Sequence, residues 1–133
     1  MSGEPVQTIH TDDAPSHVGP VPQAVVAGGW IHVSALFGAE PAGHAIPAEA
    51  DAEAEQLFTN LEAILRAAGV GLSDVVRVGI GMRDLARDRP VFNEVWARRF
   101  GAHRPARSAI EASDFGRAGE NARFMIEVAA YRG

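Results

Sequence analysis

The hydrophobic period changes twice along this chain, and the change narrows the folds open to it. From Pro47 to Ala68, the residues Ala50, Ala54, Leu57, Phe58, Leu61, Ile64, Leu65 and Ala68 recur at steps of three and four. That spacing makes one apolar helix face, and Gly69 supplies its stop. "SDVVRVGIGMRD" then alternates with period two, which puts Val76, Val78, Ile80 and Met82 on one face of a strand. The helical period returns from about Asp88 to Phe100, with Val91, Phe92, Val95, Trp96 and Phe100 as its stripe and Gly101 as its end.

Upstream, "QAVVAGGWIHVSAL" holds two β-prone runs around Gly28-Gly29, a hairpin signal because glycine tolerates the positive φ of such turns. "PVQTI" reads as one short strand within a loosely ordered lead-in over residues 1–13. "FGAEPAGHAIP" reads as a loop, and "ARSAIEAS" and "ARFMIEVAAY" as two strands separated by the polar "DFGRAGEN". The predicted order is β-β-β-α-β-α-β-β in one domain, residues 1–133. This is an α+β fold with one mixed sheet and both helices packed on one face. In the last strand Phe124, Ile126, Val128 and Ala130 alternate with Arg123, Met125, Glu127 and Ala129. The second set is half apolar, so the far face of the sheet is expected to meet a partner subunit rather than water.

Composition removes several chemistries. There is no cysteine, and all twelve basic residues are arginine. Disulfides, thiolate nucleophiles, Schiff-base lysines and phosphate-loop lysines are therefore excluded. The net charge of −5 argues against nucleic acid as a partner. The opening residues lack the basic start and apolar core of a signal peptide. No apolar run is long enough to span a membrane, so the expected location is the cytoplasm. The histidines show no metal-ligand spacing, and no cofactor motif is present.

The chemistry-bearing candidates cluster in the strands. Pro105 restricts Arg104 to an extended backbone and delivers Arg107 to the mouth of a strand. Alternation groups Arg107, Ala109 and Glu111 on one side and Ser108, Ile110 and Ala112 on the other. The apolar Ile110 set is expected to face the helices, so Arg107 is expected to point to the second face. A planar guanidinium held there either grips a ligand carboxylate bidentately or pairs with an acid of a neighbour. Glu127 falls on the same second face by alternation, where it either directs a water or pairs with Arg123 or Arg107. Ser34 shares a face with His32. Ser34 is either a ligand contact or a strand-end hydroxyl bonded to backbone, and His32 either a base or a packed strand residue.

"GPVPQAVVAGGWIHVSAL", "LFTNLEAILRAAGVGLSDVVRVGIGMRDL", "FNEVWARRFGAHRPARSAIEA" and "MIEVAAY", in this order, resemble the Rid (YjgF) family from about residue 14 onward. The resemblance implies a chorismate-mutase-like fold assembled as a homotrimer, with ligand sites in clefts between subunits. It also implies hydrolysis of reactive enamines and imines, such as 2-aminoacrylate and 2-iminopropionate, to 2-keto acids and ammonia, without a cofactor. Under it, Arg107 matches the carboxylate-binding arginine and Glu127 the glutamate that helps position water. Ser34 and Asn93 match pocket residues, and Ala109 takes the place of a frequent cysteine or threonine.

The chain departs from the family pattern around that pocket. Val21 replaces a tyrosine in "GPVPQA", and Ala35 and Leu36 replace the glycine and glutamine that follow Ser34. These changes imply a more apolar pocket and a larger or different substrate. Two further readings use the same cleft. One is a non-catalytic trimer binding keto or amino acids. The other is a pathway-specific enzyme acting on a bulkier imine or carbonyl compound, with His32 as its base.

Overall fold

The computed structural model describes residues 5–17 and 19–133. Residues 1–4 of the lead-in lie outside the described residues. The elements are β1 (Gln7–Ile9), β2 (Ala24–Ala27), β3 (Trp30–Phe37), α1 (Ala50–Ala67), β4 (Val75–Met82), α2 (Leu85–Phe100), β5 (Ala106–Glu111) and β6 (Phe124–Tyr131). Their order is the one the periodicity predicts. They form one mixed sheet in the order β1-β2-β3-β6-β4-β5. Only β4 and β5 run parallel, joined by α2, and the other pairs are antiparallel.

The β2–β3 hairpin turns at Gly28, whose φ of +59° suits glycine. The expected short strand β1 pairs with β2, Gln7 opposite Val26. The buried Gln23 fastens the segment that follows β1. Its amide oxygen accepts from Thr11 N at 2.7 Å, and its amide nitrogen donates to the carbonyls of Thr11, Ala14 and Pro15.

Both helices lie on one face of the sheet and enclose the core. Leu57, Leu61, Ile64 and Leu65 of α1 and Phe92 and Val95 of α2 pack onto Ile31, Val78, Phe124, Ile126 and Val128. Phe58, Phe92, Trp96, Phe100 and Phe124 form an aromatic chain across this layer, with centroid spacings of 4.5–6.3 Å. Asn60 is fully buried and satisfied, donating to Phe37 O and Ala39 O at 2.9 and 2.8 Å. This fastens the end of β3 and the segment after it to α1.

Three sequence expectations are corrected. α2 starts at Leu85, not near Asp88, because Asp84 caps it by accepting from Arg87 N at 3.0 Å. Pro90 lies inside the helix, and a proline so near the start disguises the onset. Val76 does not share the face of Val78: a register shift between Val75 and Arg77 exposes Val76 (42%) and buries Val75 (1%).

The third correction concerns β5. Arg107 pairs with Val78 and Ala109 with Ile80, both core residues, so the Arg107 set faces the helices. Ile110 lies on the open face and is 62% exposed. The inference from apolarity misled because the open face is itself rich in apolar groups, among them Trp30, Tyr131 and Ile110.

The loop over residues 112–121 folds back over one end of that open face. Phe115 lies against Gly81, where an added Cβ would come within 3.0 Å of its ring. Arg83 holds the loop by donating to the carbonyls of Ser113, Gly119, Glu120 and Ala122, with its guanidinium 5.0 Å from the Phe115 centroid.

Candidate functional site

Arg107 stands on β5, an edge strand. Its guanidinium carbon lies 4.6 Å from the Trp96 ring centroid and 6.0 Å from that of Phe92. Stacking on aromatic faces fixes the plane of the fork while leaving its N–H edges free. Among the described residues Arg107 forms no side-chain hydrogen bond and no ion pair. It is half-buried. Burial, and secondarily the nearby Arg89 charge, hold its pKa below the ordinary guanidinium value. An oriented, desolvated, unneutralised cation favours an anion.

Asn93 is exposed on α2. Arg89, Asn93 and Trp96 follow one another at steps of four and three, so they share a stripe of that helix with the surface over which Arg107 stacks. Ala109, two residues beyond Arg107, packs against the core and adds no polar side chain. A groove of about 430 Å³, lined by Leu85, Ala86, Arg89, Pro90 and Glu111, runs along this edge. Glu111 is turned to the start of α2, accepting from Leu85 N at 3.0 Å.

The other candidates lie elsewhere. Glu127 pairs with Gly79 in the row that includes Ser108, so it projects from the open face, opposite to Arg107. The expectation that Arg107 and Glu127 share a face is therefore corrected. Neither suggested partner neutralises Glu127: Arg123 is bound to the buried Glu53 at 2.9 Å, and Arg107 is on the other side. His32 is also exposed on the open face, next to Ala129 and 6.2 Å from the Trp30 ring. Ser34 lies in the irregular stretch between Val33 and Leu36, and its hydroxyl donates to Pro22 O at 2.7 Å. That bond seats the exposed Val21 beside Ser34, on the wall of a groove of about 400 Å³.

Within a single chain Arg107 and Ala109 share one face of β5, and Asn93 stands one helical turn before Trp96, on which Arg107 stacks. Glu127 and His32 lie on the opposite face, and Ser34 lies with Val21 at the turn before β2. Leu36 faces the core opposite Ile126, away from Arg107. The stacking of Arg107 on Trp96 and the place of Arg89 in the groove are not evident from the sequence pattern, although Arg89, Asn93 and Trp96 stand at helical spacing.

Near Ala35 there is a cavity of about 60 Å³ lined in part by His17, His44 and Leu36. His17 Nε2 donates to Ala35 O at 2.7 Å, since a carbonyl can only accept, and Nδ1 is buried without a partner among the described residues. Among the described residues no cluster of three or more potential ligands could hold a metal ion, and no helix is long and apolar enough to cross a membrane.

Comparison with known proteins places this arrangement in a family. The family model described as endoribonuclease L-PSP matches residues 11–132. A bovine (Bos taurus) protein named 2-iminobutanoate/2-iminopropanoate deaminase is 34% identical over 134 residues, covering 100% of this chain and 95% of the relative. The crystal structure of RidA from an Antarctic Psychrobacter superposes with a TM-score of 0.87 at 36% identity, covering 94% of this chain and 98% of that one. That of Escherichia coli TdcF with bound serine superposes with a TM-score of 0.87 at 28% identity, covering 96% and 99%. The near-complete sequence match and the shared fold agree, and the chain belongs to the Rid family, the family of the L-PSP model.

Proposed function

We propose that this protein hydrolyses amino-acid-type imines and their enamine tautomers to 2-keto acids and ammonia, in a cleft between subunits of a homotrimer. The observation that carries this reading is Arg107: half-buried, stacked on Trp96, and free of any acid among the described residues. Its fork takes the substrate carboxylate through two parallel N–H···O bonds. This fixes the C=N carbon, and positioning supplies most of the acceleration.

The chemistry needs one water and no cofactor. The water oxygen bonds to the C=N carbon and one water proton passes to nitrogen, giving a carbinolamine. The remaining hydroxyl proton then moves to nitrogen as the C–N bond breaks, leaving a C=O group and ammonia. Glu127 from a second copy accepts the first proton and returns it to nitrogen. The opposite orientations of Arg107 and Glu127 support a site completed by another chain, as does the apolar open face. Asn93 and Ala109 border the carboxylate. Val21, Ser34 and His32 are contributed from the neighbouring subunit.

The test supplies 2-iminopropanoate from an amino-acid oxidase and traps it with semicarbazide. Added protein should suppress the semicarbazone and raise ammonia in step. Undiminished trapping at micromolar protein would refute the hydrolase. A second reading, a trimer that binds keto or amino acids without turnover, is favoured by Ser34, whose hydroxyl is already committed to Pro22 O. Saturable binding of pyruvate without any loss of the imine would select it.

A further inference from the structure

The four arginines of α2 are not alike. Arg87 is clamped to Asp88 by two bonds of 2.9 Å, Arg98 reaches Glu55 at 2.6 Å, and Arg99 is held by Glu55 and Glu62. Arg89 alone among them has no hydrogen bond and no ion pair among the described residues. An acid lines the same groove, yet Glu111 is bonded to Leu85 N instead. Arg89 lies on the helix stripe that runs through Asn93 to Trp96, over which the Arg107 guanidinium stacks.

Arg89 lines the groove of about 430 Å³, and Arg107 stands close enough that the Arg89 charge helps to lower its pKa. Like charges close together are unfavourable, and the acid of the groove, Glu111, forms no ion pair with either guanidinium among the described residues. A single carboxylate engages one fork and leaves the other idle. A ligand with two anionic groups engages both, and a dicarboxylate of four or five carbons fits the volume.

We infer that the substrate is a dicarboxylic imino acid, its α-carboxylate on Arg107 and its distal carboxylate on Arg89. This rests on the hydrolase reading for the word substrate, but the binding preference stands apart from turnover. With 2-iminosuccinate the bond changes are those given above, water and imine yielding oxaloacetate and ammonia. Arg89 acts as a specificity residue and takes no part in proton transfer.

The experiment has two arms on the intact protein, Arg89→Met and Arg89→Lys. In the first, calorimetry compares 2-oxoglutarate and oxaloacetate with 2-oxobutanoate and pyruvate. The wild type should bind the dicarboxylates at least tenfold more tightly. Arg89→Met should remove most of that ratio and Arg89→Lys should retain part of it, with unchanged circular dichroism. In the second arm, kcat/KM for 2-iminosuccinate against 2-iminopropanoate should show the same preference and the same loss. Equal affinities in the wild type, or a ratio insensitive to Arg89→Met, overturns the inference. If neither imine is hydrolysed while the binding ratio depends on Arg89, the hydrolase reading fails and the dicarboxylate site stands.

Discussion

Arg107 and Glu127 leave the sheet on opposite sides. Arg107 lies in the row of Val78 and Val128, under the helices, and Glu127 in the adjacent row of Gly79 and Ser108, on the open face. Successive residues of a strand point to opposite faces, so no side-chain rotation brings the two together within one chain. If both act on one substrate, the second must come from another copy.

That geometry predicts complementation. Arg107→Ala and Glu127→Ala should each be inactive as pure proteins. Unfolded together and refolded as a mixture, they should regain about one quarter of wild-type activity, the share of interfaces that pair two intact halves under random assembly. Ammonia release after co-refolding measures it. No recovery, with mixed oligomers verified by mass, would mean that the two residues do not share a site.

Asn60 carries the connection between α1 and the segment after β3. Asn60→Leu leaves the carbonyls of Phe37 and Ala39 buried without their donor. The expected cost is about 3 kcal/mol, the desolvation of two unsatisfied acceptors. Urea unfolding should show a lower midpoint with an unchanged slope.

Glu55 links the two helices through Arg98 and Arg99. The bond from Arg98 leads the effects that lower its pKa below the ordinary 4.5. A carboxylate depressed by folding contributes stability that is fully present above its unfolded value and is lost as pH falls through its folded value. Glu55→Gln should therefore be destabilising at pH 7, and the difference should shrink as pH drops below 4.5. Thermal unfolding across pH 3–7 reads this, and a difference that grows toward acid would contradict it.

The architecture was largely legible because long periodic segments encode their own faces: the α1 stripe, the alternating Phe124–Ala130 set and the Gly28 turn each hold in the fold. Boundaries failed where a local device overrode the period, as with the Asp84 cap before α2 and the bulge at Val76. The site failed in a more instructive way. Alternation assigns Arg107 to the wrong face, because the apolar Ile110 points the reading to the interior. On an edge strand beside an apolar open face, burial inside the monomer is not the only destination for an isoleucine. Arg107 instead places its cation against Trp96. That contact joins a helix and a strand distant in sequence, and a one-dimensional pattern does not carry it.

The most direct measurement is the rate of 2-imino acid hydrolysis by Arg107→Ala beside the wild type, by semicarbazide competition. Circular dichroism and oligomer mass should match. The account predicts that kcat/KM falls on the order of 100-fold, the cost of losing carboxylate-directed positioning. A correctly folded and assembled Arg107→Ala protein that hydrolyses the imine at the wild-type rate would contradict it.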